Sequence, residues 1–178
     1  PAAPVVDPRD FIGIDLNRAP TTRDHHLSAT GVSAFSGAGF TFEQRFELTR
    51  IASGSVAFAS YAVAGDDDQF LVEGTSDGFL EITIAGRTAH VTDIATEELA
   101  DGLPHRLSLT WNRADGAISV FIDGELAHSG IYTAAIGATI AAGGTLVLGQ
   151  DQDVLGGGFD TTQVFQGVMG DIRIFDHA

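Results

Sequence analysis

The sequence predicts an all-β chain folded as an antiparallel sandwich, on three observations. Apolar and polar residues alternate along most of the chain, which is the period of a half-buried strand. Its 22 glycines and 17 aspartates interrupt the alternating runs at turn spacing, and both residue types favour turns. Helical periodicity is confined to one turn near 96–100. Taken in order, Phe40, Phe42, Phe46 and Leu48 share one face of a run from 39 to 49, with Gln44 the exception on that face. Strands are expected next at 56–63 and 70–73, then through Leu80, Ile82 and Ile84, then at 88–91. Leu107, Leu109 and Trp111 alternate, as do Ile118, Val120 and Ile122. Between them Asn112-Arg113-Ala114-Asp115-Gly116 has the composition of a hairpin turn. Further strands are expected at 126–129, 146–149 and 164–175, while 132–144 is either a long ordered connection or a weak strand with a loop.

The 178 residues suit one domain. With 44% hydrophobic residues the chain has enough apolar material for a core, so its acidity sits on something folded rather than on a disordered tail. The formal net charge is -15, from 24 acids against nine cations that are all arginine. Such a surface repels phosphate backbones and anionic bilayers, which argues against nucleic-acid and electrostatic membrane partners. With no lysine and no cysteine, the chain has neither Schiff-base chemistry nor disulfides, thiolate nucleophiles or cysteine metal sites. No apolar run reaches the roughly 20 residues of a membrane span. Three of the five prolines lie in the first eight residues, so 1–9 reads as an inter-module linker and 10–178 as the single domain, cut from a longer protein.

Two acidic clusters carry the chemistry. Asp66-Asp67-Asp68 stands between two expected strands; adjacent carboxylates repel one another, so such a cluster is either solvated or filled by a metal. The second, Gln150 to Gln163, gathers Asp151, Asp153 and Asp160 with amide oxygens and a Gly156-Gly157-Gly158 run. Calcium takes about 6–8 oxygen ligands, and a loop of this composition can wrap such an ion. The spacing is not that of an EF-hand, and a single glycine-aspartate copy does not make a calcium β-roll.

Leu148-Gly149-Gln150-Asp151-Gln152-Asp153-Val154-Leu155-Gly156-Gly157-Gly158-Phe159-Asp160, followed by Gly170-Asp171-Ile172 and Phe175-Asp176, resembles the C-terminal signature of the pentraxins, which belong to the laminin-G-like, concanavalin-A-like jelly rolls. His105 to Trp111, Val120-Phe121-Ile122-Asp123-Gly124 and Ser60-Tyr61-Ala62 resemble the same family more diffusely. The resemblance implies a jelly-roll β-sandwich holding two Ca²⁺ ions close together. It assigns Asp67 and Asp68 from the first loop, Asp151, Gln152 (through its carbonyl) and Asp153 from the second, and Asp160 and Gln163 further on. It implies a calcium-dependent carbohydrate-binding module, a lectin rather than an enzyme, from a larger extracellular or cell-surface protein such as a bacterial adhesin. The expected partners are cell-surface glycans or polysaccharide, with Asp66, Thr161 and Thr162 around the ligand and flanking modules on the same chain. The sequence departs from the family in its shorter Asp151 and Asp160 in place of glutamates. It lacks the family's disulfide, and Glu73 falls near the place of a phenylalanine that packs phosphocholine methyl groups. These departures point to vicinal sugar hydroxyls rather than phosphocholine.

The alternatives are a protein-interaction module rigidified by calcium, and a β-glucan hydrolase. The hydrolase needs two carboxylates about 5–5.5 Å apart for retention. Glu43 and Glu47 share a strand face but lie two pleats apart, and they read as a solvent-facing edge. Gly31-Val32-Ser33-Ala34-Phe35 lacks the second glycine of a nucleophile elbow. His25 and His26 read as loop-surface residues, His105 as structural and Trp111 as core.

Overall fold

An apolar row on one face of a strand needs a second layer to bury it. The computed structural model describes residues 13–16, 25–51 and 54–178, and in it two six-stranded antiparallel sheets cover each other. In chain order the strands are β1 (Ile14–Asp15), β2 (Leu27–Val32), β3 (Gly39–Arg50), β4 (Val56–Val63), β5 (Asp66–Gly74), β6 (Phe79–Ile84), β7 (Arg87–Ala95), β8 (Pro104–Asn112), β9 (Ala117–Ile122), β10 (Glu125–Ile131), β11 (Gly144–Leu148) and β12 (Gln166–Phe175). One sheet has the order β1-β12-β3-β8-β9-β10 and the other β2-β11-β4-β5-β6-β7. This is the jelly-roll sandwich that the sequence predicts. The linker expected at 1–9 lies outside the described residues.

The core is aromatic. Phe35, Phe40, Phe42, Phe46, Phe58, Tyr61, Phe70 and Trp111 are all fully buried, each burial being worth about 1.5–3 kcal/mol. Rings from the two sheets meet directly: Phe40 lies edge-on to Phe70 at 5.1 Å, and Phe46 edge-on to Phe58 at 5.0 Å. Gln44 lies in the same buried row of β3, and neither atom of its amide has a hydrogen-bond partner.

The structure differs from the expectations at three points and decides between two expected forms at a fourth. The acidic triplet is not in a loop: Val63 pairs with Asp66 across a two-residue turn in which Gly65 takes φ +83°, so β5 begins at Asp66. Strands β1 and β2, absent from the sequence reading, close one edge of each sheet. The 132–144 segment takes the first of its two expected forms, an ordered connection containing a 3-10 turn at Thr133–Ala135, and the Tyr61 hydroxyl is shared between the carbonyls of Val32 and Ala141 near its end. Glu43 and Glu47 do not lie at an edge, because β3 is an interior strand between β12 and β8; both are half-buried.

Strand β4 is buried at every position but the last. The inner sheet face accounts for Val56, Phe58 and Tyr61. The chain between β11 and β12 accounts for Ser60, whose hydroxyl donates to the Gln150 carbonyl at 3.0 Å. This covering segment carries the second acidic cluster.

Candidate metal and ligand site

The covering segment is held in shape by its own polar side chains. Gln152 is 1% exposed; its Nε2 donates to the Ser60 and Thr145 carbonyls, each at 3.0 Å, and its Oε1 accepts from Gly156 N at 2.8 Å. Its amide is thereby consumed in anchoring the loop, so only its backbone carbonyl could serve an ion. Gln150 Nε2 donates to the Asp160 carbonyl at 2.8 Å, and Gln163 Nε2 to Asp151 Oδ2 at 3.1 Å. Thr162 N donates to Asp160 Oδ1 at 2.9 Å. Gly158 takes φ +78°, and a Cβ there would lie 2.7 Å from Asp153 Cβ, so the loop closes onto Asp153 only with glycine at 158.

This fold brings the two acidic clusters together. Asp151 is 8% exposed and its carboxyl is raised above the usual range. Burial is the largest cause, the charges of Asp68 and Asp153 add to it, and hydrogen bonds from Gln152 N and Gln163 oppose it. The Asp68 carboxyl is raised as well, by desolvation first and then by Asp67, Asp66 and Asp153. Asp66 is turned partly away: its Oδ2 accepts from Gln69 Nε2 at 2.6 Å.

Asp153 stands between two clefts. One, of about 270 Å³, is walled by Asp66, Asp67 and the apolar Val63, Val154 and Leu155. The other, of about 360 Å³, brings Asp153, Asp160, Thr162 and Gln163 together with Ser55, Glu73 and Thr75. Among the described residues, no arginine or histidine lines either one. Thr161 is not part of these walls.

Glu73, Ser55 and Thr75 line this second cleft; the sequence reading assigned none of them to the site and placed Glu73 only by resemblance, near the place of the phenylalanine that packs phosphocholine methyl groups. Burial is the main cause that pushes Glu73 up to about 7, with the charge of Asp151 next, while a hydrogen bond with Ser55 works the other way. The one local signal was an acid ending the apolar run Phe70-Leu71-Val72.

Among the described residues no three His, Asp or Glu side chains already form a compact metal-holding group. The residues nevertheless suit a hard cation. Their donors are oxygens, no basic group among the described residues offsets the carboxylates in the clefts, and burial first, with neighbouring carboxylates adding to it, raises Asp68 and Asp151. Gln150 Oε1 is a buried acceptor with no partner.

Fold and site together define a ligand-binding β-sandwich whose binding loops lie over the outer face of one sheet. The pentaxin family model matches residues 36–178, and the chain belongs to that family. Human neuronal pentraxin-1 is 36% identical over 117 residues, 66% of this chain and 26% of that protein. The rat "Sushi, von Willebrand factor type A, EGF and pentraxin domain-containing protein 1" is 34% identical over 118 residues, 66% of this chain and 3% of that protein. The chain thus spans 26% and 3% of these relatives, in which the matching region is one part of a longer protein. Among solved structures, the heptameric SAP-like pentraxin of Limulus polyphemus superposes with a TM-score of 0.71 at 26% identity, covering 86% of this chain and 70% of that one. Mouse laminin α1 LG4-5 superposes with 0.66 at 14% identity, covering 98% and 47%, and shows the shared fold.

Proposed function

We propose that the chain is a calcium-dependent carbohydrate-binding module of a larger extracellular or cell-surface protein, an adhesin, and that it is not an enzyme. The observation that carries this reading is the convergence of Asp68, Asp151 and Asp153 beside a polar cleft that holds no basic residue among the described ones. Asp67, Asp68, Asp151, Asp153 and Asp160 hold one or two ions with the Gln152 carbonyl and Gln163. Bound calcium supplies open coordination positions for neutral hydroxyl oxygens. Gln152 and Gln150 keep the loop at a fixed height over β4, so the acids need little rearrangement. Thr162 and Gln163 offer hydrogen bonds to a sugar in the 360 Å³ cleft, a size near the lower end for small-ligand sites. Flanking modules of the longer chain carry the remaining activity.

Calcium is expected to raise the melting temperature, and a glycan array run with calcium and with EDTA should show retention only with the metal. The variant carrying Asp151→Ala and Asp153→Ala should lose both the melting shift and the retention. Retention unchanged in that variant sinks the reading.

A further inference from the structure

We infer that Glu73 determines specificity in the 360 Å³ cleft by selecting a glycan with a free amino group, whose ammonium meets the Glu73 carboxylate. This rests on the calcium-dependent sugar reading above and deepens it. Asp153 and Asp160, which line the same cleft, belong to the oxygen set assigned to the ion. Glu73 lies outside that set, on β5, and is the cleft carboxylate left without a cation once the others have theirs. Its hydrogen-bonding neighbour in the cleft is the Ser55 hydroxyl, an uncharged partner.

The rest of the wall is neutral and polar. Ser55, Thr75, Ser76, Thr162 and Gln163 offer hydroxyl and amide groups suited to a polyhydroxylated ring. Three ligand classes then rank by charge. A sugar bearing carboxylate or phosphate brings a like charge against Glu73, with no arginine or histidine among the described wall residues to offset it. A neutral sugar shields the half-buried carboxylate from water and offers only hydroxyl donors in exchange. An amino sugar supplies a charge-assisted hydrogen bond at that point, the strongest compensation of the three.

The test is an array of hexose and hexosamine pairs, for instance galactose with galactosamine, together with N-acetylgalactosamine and galacturonate. It is probed in calcium with the unaltered chain and with Glu73→Gln, alongside calcium-dependent melting of both proteins. Expected is a preference of about tenfold for galactosamine over galactose, roughly 1.4 kcal/mol, with galacturonate weakest. In Glu73→Gln that ratio should fall to about one, with galactose binding and the calcium melting shift retained. Equal retention of galactose and galactosamine by the unaltered chain overturns the inference and leaves the calcium-sugar reading standing. Loss of the calcium shift in Glu73→Gln would make Glu73 a metal ligand and also overturn it. No retention of any sugar, with or without calcium, overturns both.

Discussion

Aspartates in this molecule live under two opposite electrostatic regimes. At the end of the sheet that contains β8 and β9, His105 lies between Asp123, at 2.7 Å, and Asp101, at 3.2 Å. Nearby, Asp171 is shared by Arg106 at 3.6 Å and Arg173 at 2.9 Å. On the other sheet, Asp68, Asp151 and Asp153 influence one another, with no basic side chain among the described residues in the clefts. The titration follows suit: the Asp101 carboxyl is lowered, chiefly by a hydrogen bond from Leu103 N, while Asp68 and Asp151 are raised. In a chain of net charge -15, the cations among the described residues pair the acids of the first region and leave the second uncompensated. Carboxylate content alone therefore does not mark a binding site; a concentration of carboxylates without counter-charge does.

The comparison breaks most visibly if the loop that gathers the second set is released. Gln152→Ala removes three donor contacts and one acceptor contact from a side chain that is 1% exposed. Lost hydrogen bonds and a small cavity should together cost about 3 kcal/mol. At about 2–4 °C per kcal/mol for a domain of this size, thermal unfolding should shift down by roughly 6–12 °C. Calcium should then recover little of it, because the Asp151 and Asp153 backbone is no longer held over Ser60. A shift near zero would mean that the loop is anchored some other way.

A smaller effect sharpens the contrast by charge alone. Asp68→Asn removes repulsion, so the metal-free protein should melt slightly higher while the calcium-induced shift shrinks; at a paired aspartate, loss of charge should lower melting instead. The pH dependence runs the same way. Glu73, at about 7 in the fold, lies above its unfolded value, as do Asp68 and Asp151. The folded state therefore holds these protons longer, and their contribution is complete below the unfolded values and lost as pH rises through the folded ones. In EDTA, melting measured from pH 5 to 8 should fall with pH, and Glu73→Gln should flatten the part of that fall nearest 7. Calcium affinity should move oppositely, rising as the carboxyls deprotonate. A metal-free melting curve that rises over that range contradicts the assignment of an uncompensated site.

Much of this division could be read in the residue order, and the unread part has a physical cause. The alternation through Phe40, Phe42, Phe46 and Leu48, and through Leu107, Leu109 and Trp111, marks strands that bury one face, and these lie as expected. The Asp123-Gly124 pair between Ile122 and Glu125 is a two-residue hairpin turn, with φ +55° and +86°, as such a pair favours. Strand β2 showed no pattern because it is an edge strand exposed at most positions. The extension of β5 back to Asp66 is set by pairing with Val63, which overrides the low strand preference of aspartate. The two acidic clusters were each visible in the sequence, and Glu73 through the family resemblance alone, whereas its neighbours Ser55 and Thr75 in the cleft wall were not. That wall exists only because 150–163 folds back over a sheet face, a contact across 90 residues of chain with no local signature.

The smallest effect tests the paired region. His105 is 14% exposed at its side chain, while Asp101 and Asp123 are 41% and 49% exposed, so solvent screens the pairs. Burial works against the charged ring, but the hydrogen bonds and charges of Asp123 and Asp101 outweigh it and raise the imidazole. Asp123 also accepts from Arg106 N at 2.8 Å, so the turn keeps one anchor without the ring. His105→Gln retains a hydrogen-bonding side chain and removes the charge, and should cost only about 0.5–1 kcal/mol, roughly 1–4 °C. A raised histidine contributes below its unfolded value and loses that contribution as pH rises through its folded one. The deficit of the variant against the unaltered protein should therefore be present at pH 5 and gone by pH 8, and calcium should not alter it. A deficit that persists at pH 8 would show that the ring acts through packing against Phe46, 5.9 Å away, and not through its charge. A deficit that depends on calcium would show that the two acidic regions are coupled through the sandwich, against the separation drawn between them.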